Sequence, residues 1–252
     1  MTRLVAAERA AELLLRSRLD GALLAELPQD LAPASLAEAY AVQDATLRQI
    51  GPAGGWKVAA KPDGEPRCAV LPASAFHASG VTLKVPPAGF EAEVETAFVF
   101  ATGLPARTRP YQRDEVAAAI GSMHLAVELI SSRFIDRKSI PPLSPIADLQ
   151  GNAAVILGPA IADWRDIDLA GLALTMRLGE AQIEGPLKNL GLPQTLEVLT
   201  WLANHALTRG GGLARGDVVI TGARLGPAPL GDADSLSAEC PQMGQVTANF
   251  SR

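Results

Sequence analysis

The chain has 252 residues, 48% of them hydrophobic and 19% charged, and a formal net charge of −5. That length and composition belong to a globular protein able to bury a sizeable core. The negative balance works against broad electrostatic binding to nucleic acid or to anionic membranes, which leaves small molecules as the expected partners.

Residues from about Arg3 to Arg18 mix apolar and charged positions with helical spacing and stop at Asp20-Gly21. Within this segment Glu8, Arg9, Glu12 and Arg16 break the apolar run a signal peptide needs, and no stretch of the chain approaches the length of a membrane-spanning helix. Cys68 and Cys240 are the only cysteines, too few for a disulfide scaffold and without the paired spacing of a zinc site. The expectation is a soluble cytoplasmic protein with reduced thiols. A second helix is marked by Ser35 and, three residues on, Glu38, a capping-box signature, and is closed by Gly51-Pro52. GWKVAAK, carrying Lys57, then reads as a short strand. Between Lys61 and Gly89, Pro, Gly, Ala and Ser are frequent, and short strands are expected around Val70-Leu71 and from Val81 to Val85.

FEAEVETAFVF, Phe90 to Phe100, follows. As a strand it places Glu91, Glu93 and Glu95 on one face and Ala92, Val94, Thr96 and Phe98 on the other. Two readings fit this alternation. The acids form the wet face of a half-exposed strand, or they lie in a cleft, where their mutual repulsion calls for a hard, oxygen-preferring cation such as Mg²⁺ or Mn²⁺. After a turn-rich run and a helix from about Arg113 to Ile120, HLAVELI repeats the arrangement: Leu125, Val127 and Leu129 share one face, and His124, Ala126 and Glu128 the other. AAVILG, LALTMRL, AQIEG and GDVVITG supply further strands, with one more around Gln245 to Phe250. QTLEVLTWLANHAL reads as a helix ending in Gly210-Gly211-Gly212. Strands joined by varied connections, without βαβ alternation or repeats, indicate an α+β fold.

Several chemistries are absent from the sequence. There is no HExxH, GxSxG, P-loop or GxGxxG pattern, and His77, His124 and His205 are the only histidines. Lys57 is a lysine that either projects into water or, beside a carboxylate-rich site, binds a substrate anion or handles protons.

Taken in order, GWK ending at Lys57, EVETAFVF from Glu93, AVELISSR with Glu128, Ser132 and Arg133, ADLQGNAAVILG from Ala147, the late helix with Trp201-Leu202 and Asn204, and GDVVITG from Gly216 resemble the 2-hydroxypenta-2,4-dienoate (2-keto-4-pentenoate) hydratase and 4-oxalocrotonate decarboxylase family of the fumarylacetoacetate hydrolase superfamily. The resemblance implies a mixed β-roll or sandwich core in one domain, residues 1–252, with an N-terminal helical section over 1–50. It implies Glu93, Glu95 and Glu128 as ligands of Mg²⁺ or Mn²⁺ and Lys57 as the active-site lysine. It also offers Asp148 for orienting water or a ligand, with loop capping as the other reading, Arg133 for a substrate carboxylate, with a structural ion pair as the other reading, and Thr221 for contact with the substrate, with a strand end as the other reading. The implied activity is metal-dependent hydration of a short 2-hydroxydienoate or 2-oxo-enoate in aromatic-compound degradation, by a homo-oligomer. Decarboxylation of 4-oxalocrotonate, carbon–carbon hydrolysis of an acylpyruvate and a non-catalytic partner role are the alternatives. The chain departs from the family pattern after Lys57, at Ser131, and in ADLQGN where ADN is usual, all around the expected substrate pocket.

Overall fold

The computed structural model describes residues 2–61, 64–185 and 190–252; Pro62 and Asp63, inside the segment that departs from the family pattern, lie outside the described residues. The chain opens with helices α1 (Arg3–Asp20) and α2 (Leu36–Ile50). On α1 the buried residues Ala7, Ala10, Ala11 and Leu14 recur at helical spacing, so the helix covers the core with one stripe and packs against α2. Ser35 caps α2 as the sequence indicates, its Oγ accepting from Glu38 N at 3.2 Å, but the Glu38 carboxylate accepts from Ala34 N at 2.9 Å rather than from the cap residue. Such a cap contributes about 1 kcal/mol.

The strands follow: β1 (Ala53–Lys61), β2 (Gly64–Pro72), β3 (Phe76–Ala78), β4 (Val81–Lys84), β5 (Glu91–Phe100) and β6 (Leu104–Pro105). Helix α3 (Arg113–Ala119) leads into β7 (Ile120–Ile130), which begins before His124 because Ile120 to Met123 continue the pairing with β5. A four-residue turn of helix, α4 (Ser144–Ala147), precedes β8 (Asn152–Leu157), and β9 (Leu174–Leu178), β10 (Ala181–Gly185), α5 (Leu192–Thr208), β11 (Gly212–Leu213), β12 (Val218–Ile220), β13 (Leu225–Pro229), β14 (Ser235–Cys240) and β15 (Gly244–Ser251) complete the order. Strands β13 and β14 were not anticipated from the sequence. Pro227 and Pro229 in β13 read as loop, and β14 is a short polar-apolar alternation that acquires its role only between β9 and β15.

The large sheet runs β2-β1-β12-β5-β7-β8-β3, with β13 also paired to β5; a five-stranded sheet runs β10-β9-β14-β15-β4. Both are mixed, since β1 pairs with β12, β3 with β8 and β15 with β4 in parallel. One face of the large sheet, with Val58, Val94, Phe98, Phe100, Leu125, Val127, Leu129 and Ile156, joins the main core. The opposite face holds a smaller apolar cluster that includes Ala69, Leu71, Ala97, Ala126, Leu149, Val155 and Ile220. Burying one aliphatic side chain of this kind contributes about 2 kcal/mol. Gly55 allows β1 to approach β12: a Cβ there would lie 2.0 Å from the Val218 carbonyl oxygen. No helix among the described residues is long and apolar enough to cross a membrane.

Candidate metal centre and active-site cleft

Glu93 and Glu128 are direct cross-strand partners on β5 and β7, and Glu95 lies one pleat further along β5, opposite Ala126. Residues facing each other across an antiparallel pair share a face, so the three carboxylates project from the same side of the sheet as the small apolar cluster. Burial decides between the two readings of the alternating glutamates: Glu95 and Glu128 are both 0% exposed, which no wet face permits. A ligand atom from each of Glu93, Glu95 and Glu128 can be chosen so that all lie within 4.8 Å of one another.

Lys57, on β1, reaches this cluster and donates from Nζ to both Glu128 oxygens at 2.7 Å. Asn152 Nδ2, at the start of β8, donates to Glu128 Oε1 at 2.8 Å. Glu95 Oε2 accepts from the Gly222 main-chain N–H at 2.6 Å, a bond that depends on the left-handed φ of 97° at Gly222. Glu95 Oε1 is buried without a hydrogen-bond partner among the described residues. Burial, then Glu128 and Glu93, push the Glu95 carboxyl well above the usual carboxylate range, against the opposing pull of Lys57 and the Gly222 N–H. For Lys57 burial acts downward, but Glu128, Glu95 and Glu93 together move its ammonium upward.

Three carboxylates that converge beside Lys57 concentrate negative charge at the cleft when all are ionised. A buried excess of this sign is costly unless a cation joins it, and carboxylate oxygens are the donor type that Mg²⁺ and Mn²⁺ favour. The cluster can hold a divalent ion. It lies at a cleft of 330 Å³ whose lining includes Lys57, Arg67, Glu93, Glu95, Arg137 and Gln150.

The remaining sequence-stated residues lie differently. Arg133 and Asp148 are 4% and 3% exposed and bond to each other, Nε to Oδ1. Arg133 also donates to the carbonyl oxygens of Ser131 at 2.7 Å, Asn152 at 3.2 Å and Asp148 at 2.5 Å. Neither residue is among those that line the cleft. Burial pushes the Asp148 carboxyl up, with Arg133 and Arg18 opposing it. Thr221 is buried against Thr96, with 2.9 Å between the hydroxyls, and its chain neighbour Gly222 is the one that borders the cleft.

Asn152 was quoted in the sequence only as the end of ADLQGN; its place beside Glu128 arises from the pairing of β7 with β8. Gln150 likewise stood only inside ADLQGN, and Arg67 only in the segment after Lys57 that departs from the family pattern.

The fumarylacetoacetate (FAA) hydrolase C-terminal family matches residues 39–251 of the chain. Over 160 residues the chain is 30% identical to a 2-keto-4-pentenoate hydratase of Paraburkholderia phymatum, a match that spans 63% of this chain and 60% of that protein. Over 265 residues it is 27% identical to 2-keto-4-pentenoate hydratase 1 of Dechloromonas aromatica, spanning 98% of each. The fold superposes with a TM-score of 0.84 on 4-oxalocrotonate decarboxylase from Pseudomonas putida G7, solved with magnesium and adipate, over 100% of this chain and 99% of that one at 22% identity, a likeness of fold. With the match running from α2 into β15 and the acidic cluster inside it, the chain belongs to the fumarylacetoacetate hydrolase family.

Proposed function

We propose that the protein is a hydratase that uses Mg²⁺ or Mn²⁺ to add water to a short 2-hydroxydienoate, in the manner of a 2-keto-4-pentenoate hydratase. The observation that carries the reading is the convergence of partly buried Glu93 with fully buried Glu95 and Glu128, with a lysine ammonium on Glu128 and an oxygen of Glu95 that has no hydrogen-bond partner among the described residues. Glu93, Glu95 and Glu128 would hold the ion. A divalent ion there supplies Lewis-acid polarisation of the substrate carboxylate and adjacent 2-oxo or enol oxygen.

The chain's own residues supply position and proton traffic. Hydration of the dienol requires the 2-hydroxyl proton to leave and a proton to reach C5, giving a 2-oxo-3-enoate; water then adds its hydroxyl to C4 while C3 gains a proton. Lys57 Nζ is the group we assign to proton transfer at the cleft, because it is a buried donor within 2.7 Å of Glu128. Asn152 and the Gly222 N–H fix the orientations of Glu128 and Glu95. Arg133 and Asp148 act behind the cleft as a clamp on the backbone that carries Asn152.

The test is ultraviolet absorbance of 2-hydroxypenta-2,4-dienoate with metal-stripped protein, before and after Mg²⁺ or Mn²⁺, with products weighed by mass spectrometry. Metal-dependent loss of the conjugated chromophore with the gain of one water is the expected result. Loss of carbon dioxide from 4-oxalocrotonate, with the dienoate left unchanged, would overturn hydration in favour of decarboxylation.

A further inference from the structure

A second cavity lies away from the cleft and shares no lining residue with it. Two helix stripes build it. Tyr40 and Asp44, one turn apart on α2, and Trp201 and His205, one turn apart on α5 with Arg209 at that helix's C-terminus, line a pocket of 620 Å³. Glu65 and Pro66 of β2 complete the lining. Trp201 belongs to the late helix that the sequence marked, and the cleft makes no use of it.

The aromatic wall of this pocket is fixed in advance. His205 stacks on Trp201 with ring centroids 4.6 Å apart and planes 8° apart, and Tyr40 meets the same imidazole at 5.1 Å. Arg209 is held by Asp44 in an ion pair, by Gln43 Oε1 at 3.1 Å and by the Tyr40 carbonyl oxygen at 3.3 Å, with its guanidinium 4.8 Å from the centroid of the Tyr40 ring. Two nitrogens are left over. His205 Nε2 and Arg209 Nε are buried with no hydrogen-bond partner among the described residues, a state that costs free energy and that a ligand supplying the missing partner relieves.

The chemistry of these groups narrows the ligand. Burial, then Arg209, push the His205 imidazole below its ordinary range, against the pull of Glu65. The ring is therefore neutral at pH 7, and one of its nitrogens accepts. Arg209 Nε only donates. A single hydroxyl serves both, donating to the imidazole and accepting from the guanidinium. The rings favour a flat partner, and the carboxylates of Asp44 and Glu65 disfavour an anion. The volume is that of a small-molecule site, and none of the large apolar side chains exposed among the described residues, Leu4, Val5, Leu19 and Ile135, lines it. We infer that the pocket formed by α2, α5 and β2 is a binding site for a small uncharged phenol, separate from the catalytic cleft.

The test titrates 4-fluorophenol and 4-fluoroanisole into the full, Mg²⁺-loaded chain and follows each by fluorine NMR. The phenol is expected to bind saturably and the ether about fivefold more weakly for want of the donated proton, the scale of one hydrogen bond. His205→Phe keeps an aromatic ring against Trp201 and removes the acceptor. The two probes are then expected to bind within about twofold of each other while the ether keeps its wild-type affinity, which also reports that the variant is folded. Trp201→Ala is expected to weaken both probes about tenfold. Equal binding of the two probes by the wild type, a preference that survives His205→Phe, or phenol binding that Trp201→Ala leaves unchanged overturns the site. Absence of saturable binding overturns it as well, and if Trp201→Glu then lowers the wild-type mass in light scattering, the surface joins copies of the chain instead.

Discussion

Two buried clusters of opposite design lie on the two sides of Asn152. At Arg133 and Asp148 a cation and an anion bond directly, with Arg18 as a second positive charge beside them, and the Arg133 guanidinium spends its remaining donors on three main-chain carbonyls. At Glu93, Glu95 and Glu128 three acids converge, Lys57 bonds to one of them, and an oxygen of Glu95 has no hydrogen-bond partner among the described residues. The first cluster is closed and holds backbone; the second is open and asks for a ligand. The contrast teaches that burial of charge alone does not mark a site. What marks it is an unbalanced, unsatisfied remainder beside a cleft.

The largest effect is expected where the closed cluster is opened. Asp148→Ala leaves Arg133 buried without its carboxylate and costs about 3 kcal/mol, read as a lower urea midpoint at unchanged slope. In the open cluster the sign reverses. Glu95→Gln removes one of the crowded charges while an amide oxygen still accepts from Gly222 N–H, and the metal-free variant is expected to gain about 1 kcal/mol. The same variant forfeits the roughly 2.7 kcal/mol that a metal at a hundredfold excess over its dissociation constant adds to the wild type. Thermal melts with and without Mn²⁺ check both halves; a metal-free Glu95→Gln protein less stable than the wild type would dissolve the contrast.

Asn152 touches both clusters and separates them. Its main-chain oxygen accepts from Arg18 at 2.7 Å and from Arg133, while its side chain holds Glu128. Asn152→Ala keeps the backbone clamp and frees the carboxylate, so metal affinity is expected to fall about tenfold with little change in the urea midpoint. Equal losses in both measurements would show that the clusters act as one.

The alternation in FEAEVETAFVF and HLAVELI was enough to place the acids on one side of each strand, because strand periodicity is local; the pairing of β5 with β7 makes the two sides one face. That the face is dry was not legible. It depends on β12 and β8 covering its flanks and on α4 and the 149–151 turn standing over it, all contributed from far along the chain. A structural ion pair was one of the two readings of Arg133, but nothing in the spacing named Asp148 as the partner. Arg67 was invisible for a different reason: its β2 segment carries Gly64 and Pro66 and reads as loop, and only the pairing with β1 turns its side chain toward Lys57. Gln150 depends on a left-handed φ that its residue type does not announce.

The smallest expected effect concerns Thr221, which the sequence offers as a substrate contact. Its hydroxyl lies 2.9 Å from Thr96 Oγ1 and 3.0 Å from the Thr96 carbonyl, and Arg224 Nε donates to the same Thr96 hydroxyl at 3.1 Å. Arg224 in turn donates to the carbonyls of Leu169 and Leu190, so this is a third polar group whose hydrogen bonds are made among its own members and the backbone, adjoining the cleft through Gly222 and through the charge interaction of Arg224 with Glu95. Thr221→Val preserves shape and removes the two neutral hydrogen bonds of the hydroxyl, which costs about 1–2 kcal/mol, while Thr96 keeps Arg224 as a partner. KM for the dienoate is expected to stay within about twofold of the wild type, well under the factor of ten that 1.4 kcal/mol of lost binding would give. A rise in KM larger than that, without a matching loss of stability, would move Thr221 from the closed groups to the open one and return it to contact with the substrate.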